Sequence, residues 1–205
     1  METNTQSKLI KAATPLFATK GFAAVTVREL AEAAKVNGAL ISYYFSGKEG
    51  LYLAVLEEQF VPIIQMMQGL AATNHLSAME RLTQYARNIM IIHRQNPFLT
   101  QFIHSELVNP SACGGEVVAN YVSRLSQLIQ VILKDGVASS DFKPNFSLDY
   151  ATVFFAGIIN YYYIIKPFVN ELAKLSDQSD EEYFVQAIHL FLHGIIGGRV
   201  HEQKN

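Results

Sequence analysis

The stretch that decides the fold is TVRELAEAAKVNGALISYYFSGKEGL, residues 26–51. Thr26 and Glu29 have the spacing of a capping box, in which the hydroxyl accepts a hydrogen bond from the glutamate amide and the carboxylate reaches back. Apolar and small residues then recur at helical spacing over residues 26–34 and again over 37–44. Only a tight turn separates the two patterns, so the stretch predicts a helix-turn-helix.

The helical period continues along the chain, and no strand pattern bounded by hairpin turns interrupts it. It predicts an all-α fold with nine helices, at residues 7–20, 26–34, 37–44, 47–72, 77–95, 97–108, 115–136, 147–173 and 180–203. Further capping boxes are predicted at Ser46/Glu49, Ser77/Glu80 and Ser179/Glu182. Gly21 is predicted to end the first helix. We expect a three-helix head at residues 1–48 and a helical body at residues 49–205, connected by the fourth helix.

The composition limits the class of protein. Half of the 205 residues are hydrophobic, which supplies a sizeable core and excludes disorder as a global description. The single cysteine, Cys113, excludes an internal disulfide framework and a thiolate zinc cluster, and favours a cytoplasmic protein. The polar N-terminal sequence lacks the apolar stretch of a signal peptide. The longest apolar run, residues 151–165, is shorter than the ~18 to 20 residues of a membrane span, so no membrane partner is expected.

The charge distribution indicates where a polyanion can bind. Residues 1–50 carry six basic and four acidic residues, a net charge of +2, whereas the whole chain carries −2. The second helix of a helix-turn-helix can lie in the major groove of double-stranded DNA. Tyr43 and Tyr44 can offer hydroxyls to phosphates and ring edges to thymine methyl groups, and Lys48 can bind a phosphate at a helix start. The predicted DNA-contacting residues are Thr26, Val27, Arg28, Asn37, Gly38, Ala39, Ser42, Tyr43, Tyr44 and Lys48.

The segment Lys8–Leu51 resembles the N-terminal domain of the tetracycline-repressor (TetR) family. The matching residues are Ile10, Ala12-Ala13, Leu16-Phe17, Gly21-Phe22, Thr26-Val27, Glu29-Leu30-Ala31, Ala34, Val36, Tyr44-Phe45, Lys48-Glu49 and Leu51. The resemblance covers about a quarter of the chain. Lys35, Ala39 and Ser42 depart from residues common in the family, so the operator sequence cannot be carried over. Lys35 stands where glycine is common, and we expect it to adopt a left-handed conformation at a cost of about 1 kcal/mol.

The resemblance implies a ligand-responsive repressor that binds a palindromic operator as a homodimer. The last two helices would form a four-helix dimer interface with those of the partner. The predicted interface residues are Phe154, Tyr161, Phe184, Ile188, Phe191, Leu192 and Ile195. The other helices would enclose a small, largely apolar effector that moves the fourth helix and changes the separation of the two heads. The predicted effector-pocket residues are Phe60, Ile64, Met67, Tyr85, Ile89, Phe98, Phe102, Glu106, Tyr121, Phe155, Asn160 and Tyr163.

Two other classes of protein remain open at this point. A helical enzyme would need reactive groups, and the candidates are few: His189 and His193 lie four residues apart as a possible metal pair, and Cys113 would need a paired histidine. The sequence contains no Gly-rich phosphate loop and no Gly-x-Ser-x-Gly motif, so we predict no catalytic residue, metal or cofactor. A protein-interaction module would bind DNA only weakly and without steep salt dependence.

Overall fold

The computed structural model describes residues 2–71, 73, 75–173 and 179–196, and this part of the chain forms nine helices and no strand. The helices are α1 (Glu2–Ala24), α2 (Val27–Ala34), α3 (Ala39–Phe45), α4 (Lys48–Ala71), α5 (Ala78–Gln95), α6 (Leu99–Val108), α7 (Gly115–Ala138), α8 (Leu148–Ala173) and α9 (Ser179–Ile196). The predicted all-α class is confirmed. The predicted bounds agree to within two residues except at both ends of α1; residues 197–203 of the last predicted helix lie outside the described part.

Four residues of the head have positive φ: Gly21, Lys35, Ser46 and Gly47. Gly21 has φ 76° and ψ 161°, so the helix is interrupted where its end was predicted, but helical residues continue to Ala24. Lys35 has φ 56° and ψ 46°, which confirms the left-handed conformation expected from the sequence. The amide of Lys35 donates to the carbonyl of Glu32, and the amide of Val36 donates to that of Ala31. These bonds satisfy the last carbonyls of α2 and set the turn toward α3.

The four predicted capping boxes have different outcomes. Thr26/Glu29 and Ser77/Glu80 form with both reciprocal hydrogen bonds. The Ser46/Glu49 prediction is wrong: Ser46 is left-handed with φ 59°, ends α3 and donates its amide to the carbonyl of Ser42. The side chain of Ser179 lies outside the described residues, so the fourth box remains a prediction.

The chain forms two compact units. Unit 1 contains residues 1–64 and 95–122, and unit 2 contains residues 65–94 and 123–205. Unit 1 therefore joins the three-helix head to the first part of α4, to α6 and to the start of α7. The division at residues 48 and 49 stays a prediction.

One helix in the described residues is long and apolar enough, by length and composition alone, to span a membrane. It covers Leu148–Phe168, 21 residues, and 28% of its most apolar window is buried. The apolar helix is thus longer than the run counted from the sequence. A single such helix is weak evidence for a membrane span, because core helices pass the same test.

Candidate functional site

The turn and the start of α3 are built from short side chains. The Oδ1 atom of Asn37 accepts a hydrogen bond from the amide of Ala39 at 2.9 Å. Gly38, which precedes the helix, has helical φ and ψ. A Cβ atom at Gly38 would make ordinary contacts with Ala31 and Val27 at 3.7 and 3.8 Å. Conformation and space therefore do not require glycine here, and an added Cβ atom would face α2.

The outer face of α3 carries the most exposed aromatic residue of the head. Tyr43 is 71% exposed, and its ring meets the half-buried Tyr44 edge-on at 4.8 Å. Ser42 is also exposed, whereas Ile41 is completely buried and anchors the helix to the head core. The helix thus has one buried apolar face and one outer face of hydroxyl groups and an aromatic ring.

The start of α2 adds a second exposed segment. Thr26, Val27 and Arg28 are all exposed. The carboxylate of Glu29 accepts from the ammonium of Lys20 at 2.8 Å and from the amide of Thr26 at 2.8 Å. These hydrogen bonds, that of Lys20 first, lower the pKa of Glu29 to about 2. The capping box therefore stays intact over the whole neutral pH range.

Lys48 holds the connection between α1 and α2. Its Nζ atom donates to the carbonyls of Phe22 and Val25, each at 3.0 Å, and lies 4.3 Å from the centre of the Phe22 ring. Two of the three ammonium donors are therefore used inside the protein, and one is left for a phosphate.

Tyr52 lies one turn further along α4 and links the head to α6. Its ring packs against Phe17 and Phe22 of α1, with ring centres 4.9 and 5.0 Å away. Its hydroxyl donates a short hydrogen bond to Oε1 of Glu106. Burial and then this hydrogen bond raise the pKa of Tyr52, so the phenol keeps the proton that it donates.

Glu106 is 3% exposed and also binds the connection between α6 and α7. Its Oε2 atom accepts from the amide and the hydroxyl of Ser111, at 2.8 and 3.0 Å. A Cβ atom at Gly114 would lie 2.7 Å from the ring of Tyr52, so any larger residue at this position would have to displace that ring. Glu106, predicted as an effector contact, is thus fully engaged with protein donors.

The predicted effector-pocket residues divide equally between the two units. Unit 1 contains Phe60, Ile64, Phe98, Phe102, Glu106 and Tyr121; unit 2 contains Met67, Tyr85, Ile89, Phe155, Asn160 and Tyr163. In unit 1 the rings of Phe60 and Tyr121 stack at 4.3 Å, and in unit 2 the rings of Tyr85 and Phe155 lie 5.6 Å apart. Whether these residues contact an effector stays a prediction.

Unit 2 contains a buried histidine that the sequence analysis missed. His93 stacks on Tyr163 with ring centres 4.0 Å apart, and its Nε2 atom lies 3.4 Å from Oδ1 of Asn160. Burial lowers the pKa of His93 to about 4, against a smaller opposite effect of Asn160. The signal was available, because His93 continues the buried stripe of Leu82 and Ile89 on α5.

The predicted dimer residues fall into two groups. Phe154 and Tyr161 are 62% and 58% exposed, whereas each of the others is at most 8% exposed within its own chain. The buried ones are Phe184, Ile188, Phe191, Leu192 and Ile195. Five exposed side chains of α8 lie three, four or seven residues apart and so share one face: Tyr150, Phe154, Tyr161, Ile164 and Phe168. Val153 of the same helix is also exposed. On α9 the exposed ones are Val185 and Leu190.

The groups considered for an enzyme have ordinary surroundings. The rings of His189 and His193 lie 4.1 Å apart on the exposed side of α9. Within the described ranges, no three His, Cys, Asp or Glu side chains are arranged to hold a metal ion. Burial raises the pKa of Cys113, which disfavours the reactive thiolate.

Comparison with known proteins agrees with this arrangement. The family described as "Bacterial regulatory proteins, tetR family" matches residues 9–55. The probable HTH-type transcriptional regulator YttP of Bacillus subtilis is 32% identical over 137 residues, which cover 66% of each chain. The HTH-type transcriptional repressor NicS of Pseudomonas putida is 24% identical over 77% of this chain and 75% of its own. These alignments thus span about two thirds to three quarters of the relatives' length.

Solved structures extend the likeness to the whole fold. The hemolysin II transcriptional regulator HlyIIR matches with a TM-score of 0.73 and 21% identity, over 97% of this chain and 100% of its own. AibR, solved with isovaleryl coenzyme A and operator DNA, matches with a TM-score of 0.72 and 13% identity, over 91% and 97%. The curated relatives are transcriptional regulators and not enzymes. The chain belongs to the TetR family of bacterial regulatory proteins.

Proposed function

We propose that this protein is a cytoplasmic, dimeric repressor that binds a palindromic operator and is released by a small, largely apolar effector. The observation that carries the proposal is the outer face of α3, where Tyr43 and Ser42 are exposed and Gly38 precedes the helix without a side chain. Small and hydroxyl side chains let a helix approach base edges in the major groove.

The phosphate contacts in this proposal come from the edges of the head. The exposed start of α2, Thr26 to Arg28, offers side chains and the positive end of a helix dipole to one phosphate. The third donor of Lys48 and the hydroxyl of Tyr43 can bind others. Because Lys48 also holds the carbonyls of Phe22 and Val25, it would fix the position of α2 while it binds DNA.

A second copy of the chain is the proposed occupant of the exposed face of α8 and α9. A continuous stripe of exposed aromatic and aliphatic side chains marks an interaction surface more than a solvated one. We place the interface on Tyr150, Phe154, Tyr161, Ile164, Phe168, Val185 and Leu190, all exposed in the single chain. An added Cβ at Gly157 or Gly194 would meet no atom within 4 Å, so both glycines leave room for the partner helix.

The proposed signal from effector to DNA passes through α4. An effector shifts the equilibrium only if it binds the DNA-incompetent state better than the competent one. Tyr52 joins α1 to Glu106 and, through it, to the connection between α6 and α7. A displacement of α6 would therefore shift Tyr52, and with it α1 and the carbonyl groups that Lys48 binds.

The decisive experiment is selection of binding sites from random duplex DNA, followed by a salt titration of the enriched site. We expect a palindrome and a steep linear fall of log affinity with log salt concentration, because several phosphates are neutralised. Sedimentation checks that the protein is a folded dimer, and mass spectrometry of denatured protein checks that no ligand is bound. Failure of a ligand-free dimer to enrich any site would contradict the proposal and favour the protein-interaction alternative.

A further inference from the structure

A groove in unit 2 combines positive charge with apolar walls. Its volume is about 370 Å³, and it lies between the end of α4, the first turns of α5 and the middle of α7. The residues that matter for its chemistry are Met67, Arg81, Arg124, Gln127, Val131 and Asp135. Only Met67 was predicted from the sequence as an effector contact. A groove of this volume fits a small ligand.

Arg81 forms a buried wall of the groove with an unused donor. Only 8% of its side chain is exposed, and its Nη1 atom donates to Oδ2 of Asp135 at 2.8 Å. Its Nε atom is buried and has no hydrogen-bond partner within the part of the chain that the structure describes. A guanidinium donor buried without an acceptor is costly, and native proteins rarely leave one unsatisfied. An acceptor oxygen is the group that this position lacks.

Arg124 supplies a second guanidinium on the same groove. It is exposed and makes no hydrogen bond or ion pair with the described residues. Gln127 lies one turn further along α7 and adds an amide donor. Two guanidinium groups face one carboxylate, that of Asp135, so the groove has an uncompensated positive charge.

The remaining walls are hydrocarbon. Val131 is half exposed although it is aliphatic, and Met67 is partly exposed on α4. A ligand that binds both the guanidinium groups and the apolar walls of the groove carries an anionic group with two oxygens and an aliphatic chain. A carboxylate matches the planar fork of a guanidinium better than a single-atom anion does.

We propose that this groove binds an aliphatic carboxylic acid. The carboxylate lies against Arg124 and supplies the missing acceptor of Arg81, and the chain covers Val131 and Met67. This names the class of effector and, in that respect alone, rests on the proposed repressor function. Binding of the acid to the groove requires neither DNA nor a partner subunit, so this proposal and the proposed repressor function can fail separately.

The test is a calorimetric titration of the full chain, without DNA, with octanoate as the probe and octan-1-ol and acetate as matched partial probes. We expect saturable binding of octanoate with one site per chain, and binding of each partial probe at least about tenfold weaker, which corresponds to about 1.4 kcal/mol. Equal affinity for octanoate and octan-1-ol would overturn the proposal, because the guanidinium groups would then contribute nothing.

A pair of variants locates the binding. Arg124→Gln removes the exposed charge and leaves the ion pair of Arg81 and Asp135 in place, and we expect it to weaken octanoate binding at least about tenfold. Arg87→Gln removes an exposed arginine of α5 outside this groove and should leave the affinity unchanged. Equal loss in both variants, or none in Arg124→Gln, would refute the site. Circular dichroism confirms that each variant keeps its helices.

Discussion

Both units expose aromatic side chains on their outer surfaces, but the side chains next to them differ. On α3 of unit 1, the exposed Tyr43 follows the exposed hydroxyl of Ser42. On α8 of unit 2, Phe154 and Tyr161 belong to one apolar stripe that extends from residue 150 to residue 168. An exposed ring by itself therefore does not identify a partner. Neighbouring hydroxyls suit phosphates and base edges, whereas continuous hydrocarbon suits another hydrocarbon surface.

The interiors of the two units also differ in how they satisfy buried polar groups. In unit 1, Glu106 accepts from Tyr52 and twice from Ser111, so three donors hold it between α4 and the connection after α6. In unit 2, His93 is stacked on Tyr163 and kept neutral by burial. The first arrangement ties helices together through hydrogen bonds, and the second depends on the ring not being protonated.

The largest expected effect comes from a charge on the stripe of α8. Phe154→Glu should weaken the dimer about 1000-fold, since each protomer would bury an unpaired carboxylate and two such penalties amount to about 4 kcal/mol. Sedimentation velocity over a concentration series measures the change. Val108→Glu is the control, because Val108 is an equally exposed apolar residue in unit 1. A Phe154→Glu protein that dimerises like the unchanged chain would show that this face is not the interface.

A smaller effect is expected from the buried histidine as the pH falls. The pKa of His93 is about 4 in the folded chain and 6.5 as its ordinary value, so below pH 6.5 the unfolded state binds a proton that the folded state does not. The contribution of His93 to stability is therefore complete above pH 6.5 and falls by up to about 3 kcal/mol as the pH decreases to 4.

Denaturant unfolding at steps of pH, at one protein concentration, measures this loss. The exposed His104 supplies the control: His104→Gln should retain the pH dependence, whereas His93→Gln should lose this part of it. Parallel pH profiles in the two variants would contradict the interpretation of His93 as a buried neutral base.

The smallest expected effect tests the face of α3. Tyr43→Ala should weaken operator binding about 30-fold, from roughly 1 kcal/mol at each of two half-sites, and leave dimerisation unchanged. Tyr43→Phe separates the two parts of the side chain, because it removes only the hydroxyl and should retain part of the affinity. Fluorescence anisotropy with labelled operator gives both values. Unchanged affinity in Tyr43→Ala would remove this face from the DNA contact.

Two local features of the head were predicted correctly. The left-handed Lys35 was expected from the family resemblance, because glycine is common at that position, and the capping box of Thr26 and Glu29 was expected from their spacing. The same logic failed at Ser46/Glu49, which has the correct spacing. Ser46 is the C-cap of α3, and spacing alone does not show whether a residue between two helices ends the first or begins the second.

The candidate sites were less predictable, because they depend on which side of a helix is covered. Phe184 and Leu190 are both apolar residues of α9, yet the first is buried in its own chain and the second is exposed. Arg81 is a charged residue, yet its side chain is buried and pairs with Asp135 of α7, 54 residues away in sequence. Pairings of this kind have no signature in local spacing.

The amino-acid sequence by itself determined the helical class, the positions of the helices and the resemblance of residues 8–51 to the TetR head. These properties follow from hydrogen bonds and side-chain periods within single helices, where each residue acts on others three or four positions away. Only the tertiary structure decided that Lys48 binds the carbonyls of Phe22 and Val25, that Glu106 accepts hydrogen bonds from Tyr52 and Ser111, and that Arg81 has an unused donor. The physical reason is that burial and hydrogen-bond satisfaction depend on neighbours tens of residues away, which only the packed chain brings together.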